Sequence, residues 1–214
     1  SYAIEHAFPQ LFKQYSTMEA CRVLYFAARG GHLDVLQWAK EYLPSVMSTV
    51  CPDTPIFFAN TWDDARESLL HYAAEGGHLA VVKWLRKPEQ GCHWNQYVIA
   101  TAARGGHLAA VAYMHDNGCP WSYYTCARAA AGGHLEVLQY AHANGCEWDK
   151  RTCSNAAQYG HLDVLTWARR AGCPWDPYET KFYASRFSAD RRVRTEMLSW
   201  MNDHYEYDTE VDGL

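Results

Sequence analysis

Two residue types recur in this chain at spacings that invite a chemical reading. Histidine stands in the tripeptide Gly-His-Leu at His32, His78, His107, His134 and His161, and cysteine in Gly-Cys-x-Trp at Cys92, Cys119, Cys146 and Cys173. Imidazole and thiolate are zinc ligands, so either row could in principle hold metal. A zinc ion, however, needs its ligands to converge on one point, and here successive members are a whole repeat apart. If each repeat adds one helical layer, neighbours lie about 10 Å apart. That is too far to share an ion, and it exceeds the ~7 Å Cα limit for a disulfide. No Cys-x-x-Cys occurs among the eight cysteines. The expectation is no metal, reduced and buried thiols (Cys126 and Cys153 included), and histidines that bond the backbone of a turn. There is also no phosphate loop, nucleophile elbow or His-Glu-x-x-His motif, and Asp63-Asp64 is a lone acidic pair. The chain is expected not to be an enzyme and to need no cofactor.

The elements that carry these rows repeat with them. The last two His-to-His intervals are 27 residues, His78 to His107 is 29, and His32 to His78 is 46, one period plus 19. Two alanines precede each His at fixed distance, as in Ala102-Ala103 and Ala129-Ala130, and an apolar run follows, as in Leu135-Glu136-Val137-Leu138. Each repeat therefore reads as two helices. Asn95, Ser122, Asp149 and Asp176 follow the four Trp and are N-cap types for the first helix. A glycine pair such as Gly132-Gly133 reverses the chain, and Gly118, Gly145 or Gly172 stops the second helix.

These motifs resemble ankyrin repeats. Ser68-Leu69-Leu70-His71-Tyr72-Ala73-Ala74-Glu75-Gly76-Gly77-His78-Leu79 is similar to the family's T-P-L-H-x-A-A-x-x-G-H-L, and Gly118-Cys119-Pro120-Trp121-Ser122 to its G-A-D-V-N. The likeness covers roughly residues 20–204, and the Gly-Cys-x-Trp form resembles ankyrin arrays of algae, oomycetes and giant viruses. It implies an all-α helix–turn–helix solenoid of five clear repeats plus a degenerate C-terminal one. Ankyrin repeats usually run 33 residues, so a 27-residue period predicts that the β-hairpin finger is lost or reduced to a tight loop. The Trp stands where the family buries a Val, so it reads as core, with a stacking platform for bases or sugars as the alternative.

Residues 1–19 are expected to form an N-terminal cap helix, 20–204 the repeat domain, and 205–214 an acidic, frayed tail. The extra residues of the first interval form an insertion at about 44–63, where Pro44, Pro52 and Pro55 break helix. Its Phe57, Phe58 and Trp62 either fold back onto the repeats or dock a partner.

A net charge of −5 is a poor match for nucleic acid, and no apolar stretch is long enough for direct membrane insertion. With no leader evident, the chain is expected to be intracellular and cytoplasmic, or in an organelle if a targeting peptide was removed, and monomeric by itself. The expected partner is another protein. Sites ten, six and three residues before the motif His vary most between repeats, and the resemblance puts the first helices on the concave side. The candidate contacts there are Arg22, Phe26, Tyr72, Tyr97, Arg104, Tyr124, Arg128 and Arg151, rich in the Tyr and Arg favoured at interface hot spots. The stripe leans basic, which points to an acidic or amphipathic partner segment. The expected function is a non-enzymatic protein–protein interaction scaffold; the alternative is a permanent accessory subunit of a large assembly.

Overall fold

A computed structural model describes residues 17–50, 61–187 and 190–209, with side chains described for 22–42, 67–186 and 190–204. Two compact units divide the chain after Trp94. The first holds α1 (Thr17–Gly30), α2 (Leu33–Val50), α3 (Thr61–Glu75), α4 (Leu79–Leu85) and a 3-10 turn, Pro88–Gln90. The second holds α5 (Gln96–Arg104), α6 (Leu108–Asp116), α7 (Tyr123–Gly132), α8 (Leu135–Ala143), α9 (Lys150–Tyr159), α10 (Leu162–Arg170), α11 (Pro177–Phe187) and α12 (Arg191–Thr209). The described residues contain no strand, and only six residues (117–122) join α6 to α7, so the hairpin finger is gone. The longer interval between His78 and His107 accommodates the 3-10 turn before Gly91.

Each repeat is a pair of antiparallel helices, and successive repeats meet chiefly through their first helices: α1 with α3, and α5 with α7, α7 with α9, α9 with α11. The alanine pairs permit this. Ala102, Ala103, Ala129, Ala130, Ala156 and Ala157 are all fully buried, and their small side chains let helix backbones approach. The second helices contribute the bulk of the core, with Val111, Met114, Leu138, Val164 and Leu165 buried. The expected N-caps form. Asn95, Ser122 and Asp149 accept hydrogen bonds from the amides of Tyr97, Tyr124 and Arg151, and Asp176 from that of Glu179.

The glycine pair and the histidine interlock one repeat with the next. At the helix–helix corner, Gly106 N–H donates to the Ala103 carbonyl and His107 N–H to Ala102, which satisfies the last carbonyls of α5. The second glycine has positive φ (77° at Gly106, 75° at Gly133). The motif His then sits at the N-cap of the second helix but makes no cap bond with its side chain. At His78, His134 and His161 the ring reaches back to the preceding repeat instead. His78 Nε2 donates to the Arg29 carbonyl at 2.8 Å, and His134 bonds the Arg104 carbonyl in the same way. A Cβ on Gly132 would run into that Arg104 carbonyl oxygen, and one on Gly106 would run into the His134 ring. Both glycines are therefore required by space as well as by turn geometry.

Three boundaries differ from the sequence expectation. The helix break expected at Pro44 does not occur: α2 runs on to Val50. A proline inside a helix removes one hydrogen bond and presses on the carbonyl four residues earlier, at a cost of about 3 kcal/mol, and the residues after Pro44 continue the helix despite it. Most of the expected cap helix over 1–19 lies outside the described residues, and α1 begins within it at Thr17. At the other end α12 extends to Thr209, past the point where fraying was expected.

Candidate partner-binding face

The links between repeats position the face. In each link the cysteine amide closes the helix terminus: Cys119 N–H donates to Met114, Cys146 to Ala141 and Cys173 to Ala168. The thiols point inward, toward the N-cap carbonyls of the preceding first helix. Cys119 Sγ lies 3.6 Å from the Asn95 oxygen, Cys146 Sγ 3.4 Å from that of Ser122 and Cys173 Sγ 3.5 Å from that of Asp149. Cys126 and Cys153 share hydrogen bonds with the thiols of Cys146 and Cys173, and that sharing together with burial holds them far above the ordinary thiol range. The six described cysteines are free and buried. An alkylating reagent must reach the sulfur, and all six are buried, so Cys92, Cys119, Cys126, Cys146, Cys153 and Cys173 should resist iodoacetamide at pH 8 in the native chain. Peptide mass mapping should show all six modified once urea unfolds it.

The four link tryptophans are not fully buried core residues. Trp94, Trp121, Trp148 and Trp175 are half-buried, and each lies flat against a residue from the last turn of the second helix before it. His115 stacks on Trp121 and His142 on Trp148, each at 3.8 Å between centroids, while Arg86 lies 4.0 Å above Trp94 and Arg169 4.6 Å above Trp175. Their edges meet the next second helix: Trp121 meets Tyr140, Trp148 meets Trp167, and Trp175 meets Trp200. The indole thus occupies the space left by the missing finger. This explains why a Val-to-Trp exchange leaves one side of the ring in water. Trp121→Ala should therefore cost about 2–3 kcal/mol in urea unfolding, below the ~3–5 kcal/mol of a fully buried aromatic.

The variable stripe falls on the first helices as expected. In the second unit it is a connected surface. Tyr97 on α5 packs against Tyr124 on α7 with 6.0 Å between centroids. Tyr124, Ala127, Arg128, Ala131, Arg151, Asn155 and Tyr159 line a groove of about 240 Å³. Asn155 Nδ2 donates to the Ala127 carbonyl at 3.0 Å and ties the groove floor across two repeats. Arg151 is held over an aromatic base. Its guanidinium donates to the Tyr123 hydroxyl at 3.0 Å, lies 4.7 Å above that ring, and is 3.6 Å from the Asp149 carboxylate. Arg104 and Arg128 are exposed.

In the first unit the stripe is more occupied. Arg22 and Phe26 are exposed on α1, but Tyr72 stacks on Tyr25 at 4.9 Å, and Arg29 pairs with Glu75 at 3.0 Å. Of the insertion residues, Phe57 and Phe58 lie outside the described residues. Trp62 falls in the first turn of α3, its side chain outside the described set.

Two residues of the stripe escaped the sequence reading. The 27-residue phase carries Arg151 to Tyr178 and Asn155 to Phe182, both on α11 and exposed by 77% and 53%. Among the described residues, Tyr97, Tyr178 and Phe182 are large apolar side chains that stand exposed on this stripe in the second unit, as Phe26 does in the first. Counting forward by the period would have found Tyr178 and Phe182 even though the sixth repeat lacks the Gly-His-Leu marker.

Paired helices stacked through their first members, with glycine corners and no strands among the described residues, define a helix–turn–helix repeat protein. The ankyrin repeat family profile matches residues 66–97. Among solved structures, the crystal structure of the human ASB11 ankyrin repeat domain is similar, with 20% identity, a TM-score of 0.52, and coverage of 83% of this chain and 82% of that one. At that identity the likeness bears on fold. A search of curated protein sequences finds no match. Residues 66–97 thus match an ankyrin repeat, and the array as a whole has an ankyrin-like fold in a short-period form whose links are Gly-Cys-x-Trp.

Proposed function

We propose that the chain is a non-enzymatic scaffold that binds a protein partner across its first-helix face, the side the ankyrin resemblance assigns to the concave surface. Ankyrin repeats serve generally as protein–protein interaction modules, and the face within this one is supported by a single observation. Residues that vary at constant phase, and that the packing does not need, are exposed Tyr, Phe and Arg gathered on α5, α7, α9 and α11. Such residues supply most of the energy at protein interfaces, and exposed aromatics clustered on one face mark interaction surfaces. Among the described residues, no helix is long and apolar enough to cross a membrane.

The reading is tested by replacing Tyr97, Tyr124 and Arg128 together with alanine and comparing affinity capture from source-cell extract with that of the unaltered chain. These side chains are not core, so the melting temperature should move little while the captured partner is lost. Equal recovery by the two chains, with the fold intact, would remove this face from consideration.

A further inference from the structure

The charge on the proposed face is segregated in a way that the overall composition hides. Helices α5, α7 and α9 carry Arg104, Arg128, Lys150 and Arg151 and no Asp or Glu, although the chain as a whole is at −5. The acidic residues of the same repeats stand on the second helices, as Asp116, Glu136 and Asp163, or in the link, as Glu147 and Asp149, the latter 3.6 Å from Arg151. Lys150 is engaged at the junction with α11, pairing with Glu179 at 2.7 Å and Asp176 at 3.6 Å. Three arginines run along the stripe, one on each of three successive helices, Arg151 sharing part of its charge with Asp149, and beyond them stand the exposed Tyr178 and Phe182 on α11. The face therefore has a cationic stretch and an apolar end.

Resting on the reading above, we infer that the occupant is an extended acidic segment of a partner protein whose carboxylates lie along Arg104, Arg128 and Arg151 and whose apolar side chains end on Tyr178 and Phe182. Its length follows from the helix spacing. Four first helices set about 10 Å apart span ~30 Å, which an extended peptide covers in about nine residues. The groove between α7 and α9 takes one side chain at its centre. There the guanidinium of Arg151, already oriented by Tyr123, and that of Arg128 can meet one carboxylate from two sides. Tyr97 and Tyr124 flank the acidic stretch with rings that offer apolar area and hydroxyls at little cost in ordering.

The test uses the full chain and fluorescein-labelled decapeptides read by fluorescence anisotropy. One peptide carries six alternating Asp and Glu followed by Leu-Leu-Phe-Leu, a second has the reverse order, and a third replaces every acid with Asn or Gln. A labelled single-stranded oligonucleotide of similar length is the fourth probe. One acidic order should bind at least about tenfold more tightly than the neutral peptide. Its affinity should fall as salt is raised, because the pairs are exposed to screening. Arg128→Gln with Arg151→Gln should weaken it about tenfold and Phe182→Ser several-fold, with unchanged melting. Arg170→Gln, an exposed cation on a second helix, should leave it unaltered. Equal binding of acidic and neutral peptides, tighter binding of the oligonucleotide, or indifference to the arginine pair would overturn the inference. If the decapeptides fail while the Tyr97/Tyr124/Arg128 alanine variant still loses its captured partner, the acidic segment is wrong and the face stands. If that variant also captures normally, both fall.

Discussion

Gly132→Ala should destabilise the chain by about 3–5 kcal/mol, although helix propensity taken alone forecasts a gain. Gly132 is the last residue of α7, and alanine is favoured over glycine within a helix by about 1 kcal/mol. Space reverses the sign. A methyl group there meets the Arg104 carbonyl oxygen and the His134 ring. The carbonyl belongs to the backbone of a helix terminus and cannot turn aside. The two repeats must part, which adds the cost of overpacking to that of the lost His134 hydrogen bond. Gly118→Ala is the matched control. Nothing lies within 4 Å of its would-be Cβ, and only its φ of 78° opposes the change, at about 1–2 kcal/mol. Urea unfolding of the two variants compares them directly. If Gly132→Ala proves neutral or stabilising, the repeats do not interlock at this glycine.

The second large effect is expected at His134. Replacing it with alanine empties the space against Gly106 and Gly132 and leaves the Arg104 carbonyl without its donor, for a loss of about 2–4 kcal/mol. This loss should depend on pH. Burial holds the His134 pKa below the usual imidazole range, against the opposing pull of its bond to the Arg104 carbonyl. The unfolded chain therefore takes up this proton first as pH falls through about 6.5. The unfolded state binds more protons there, so stability rises with pH across that window and is level above about 7. The wild-type advantage over His134→Ala should accordingly shrink between pH 6.5 and 5. Part of the acid sensitivity should persist in the variant, because burial lowers the pKa of His71 as well. Thermal melts at a series of pH values measure both slopes.

Much of this architecture was legible in the sequence because a repeat is its own alignment. The phase alone located the helices, the N-caps at Asn95, Ser122 and Asp149, and the loss of the finger. What it could not supply was direction across the repeat boundary. His134 was expected to bond turn backbone, and it does, but the turn it serves is that of the preceding repeat, where its ring lies against Gly106 and bonds the Arg104 carbonyl. The tryptophans were expected to be core by analogy with a smaller residue. An indole larger than the available space keeps one edge in water and recruits His115, His142, Arg86 or Arg169 as a cover. The stripe on the first helices was visible as variation at constant phase. The occupation of Tyr72 and Arg29 by Tyr25 and Glu75 was not, since it depends on side-chain reach between helices. Pro44 was misread for a similar reason: propensity marks a cost in a helix, not the point where the helix must end.

On the proposal made above, partner binding falls to the first helices and a supporting role to the second. Site-specific photocrosslinking separates the two. A benzophenone side chain is introduced at Tyr124, on α7, or at Gln139, exposed on α8, and the chain is irradiated in extract of its source cells. The account predicts one discrete protein adduct from position 124 and none from position 139. An adduct from position 139 with none from position 124 would contradict it.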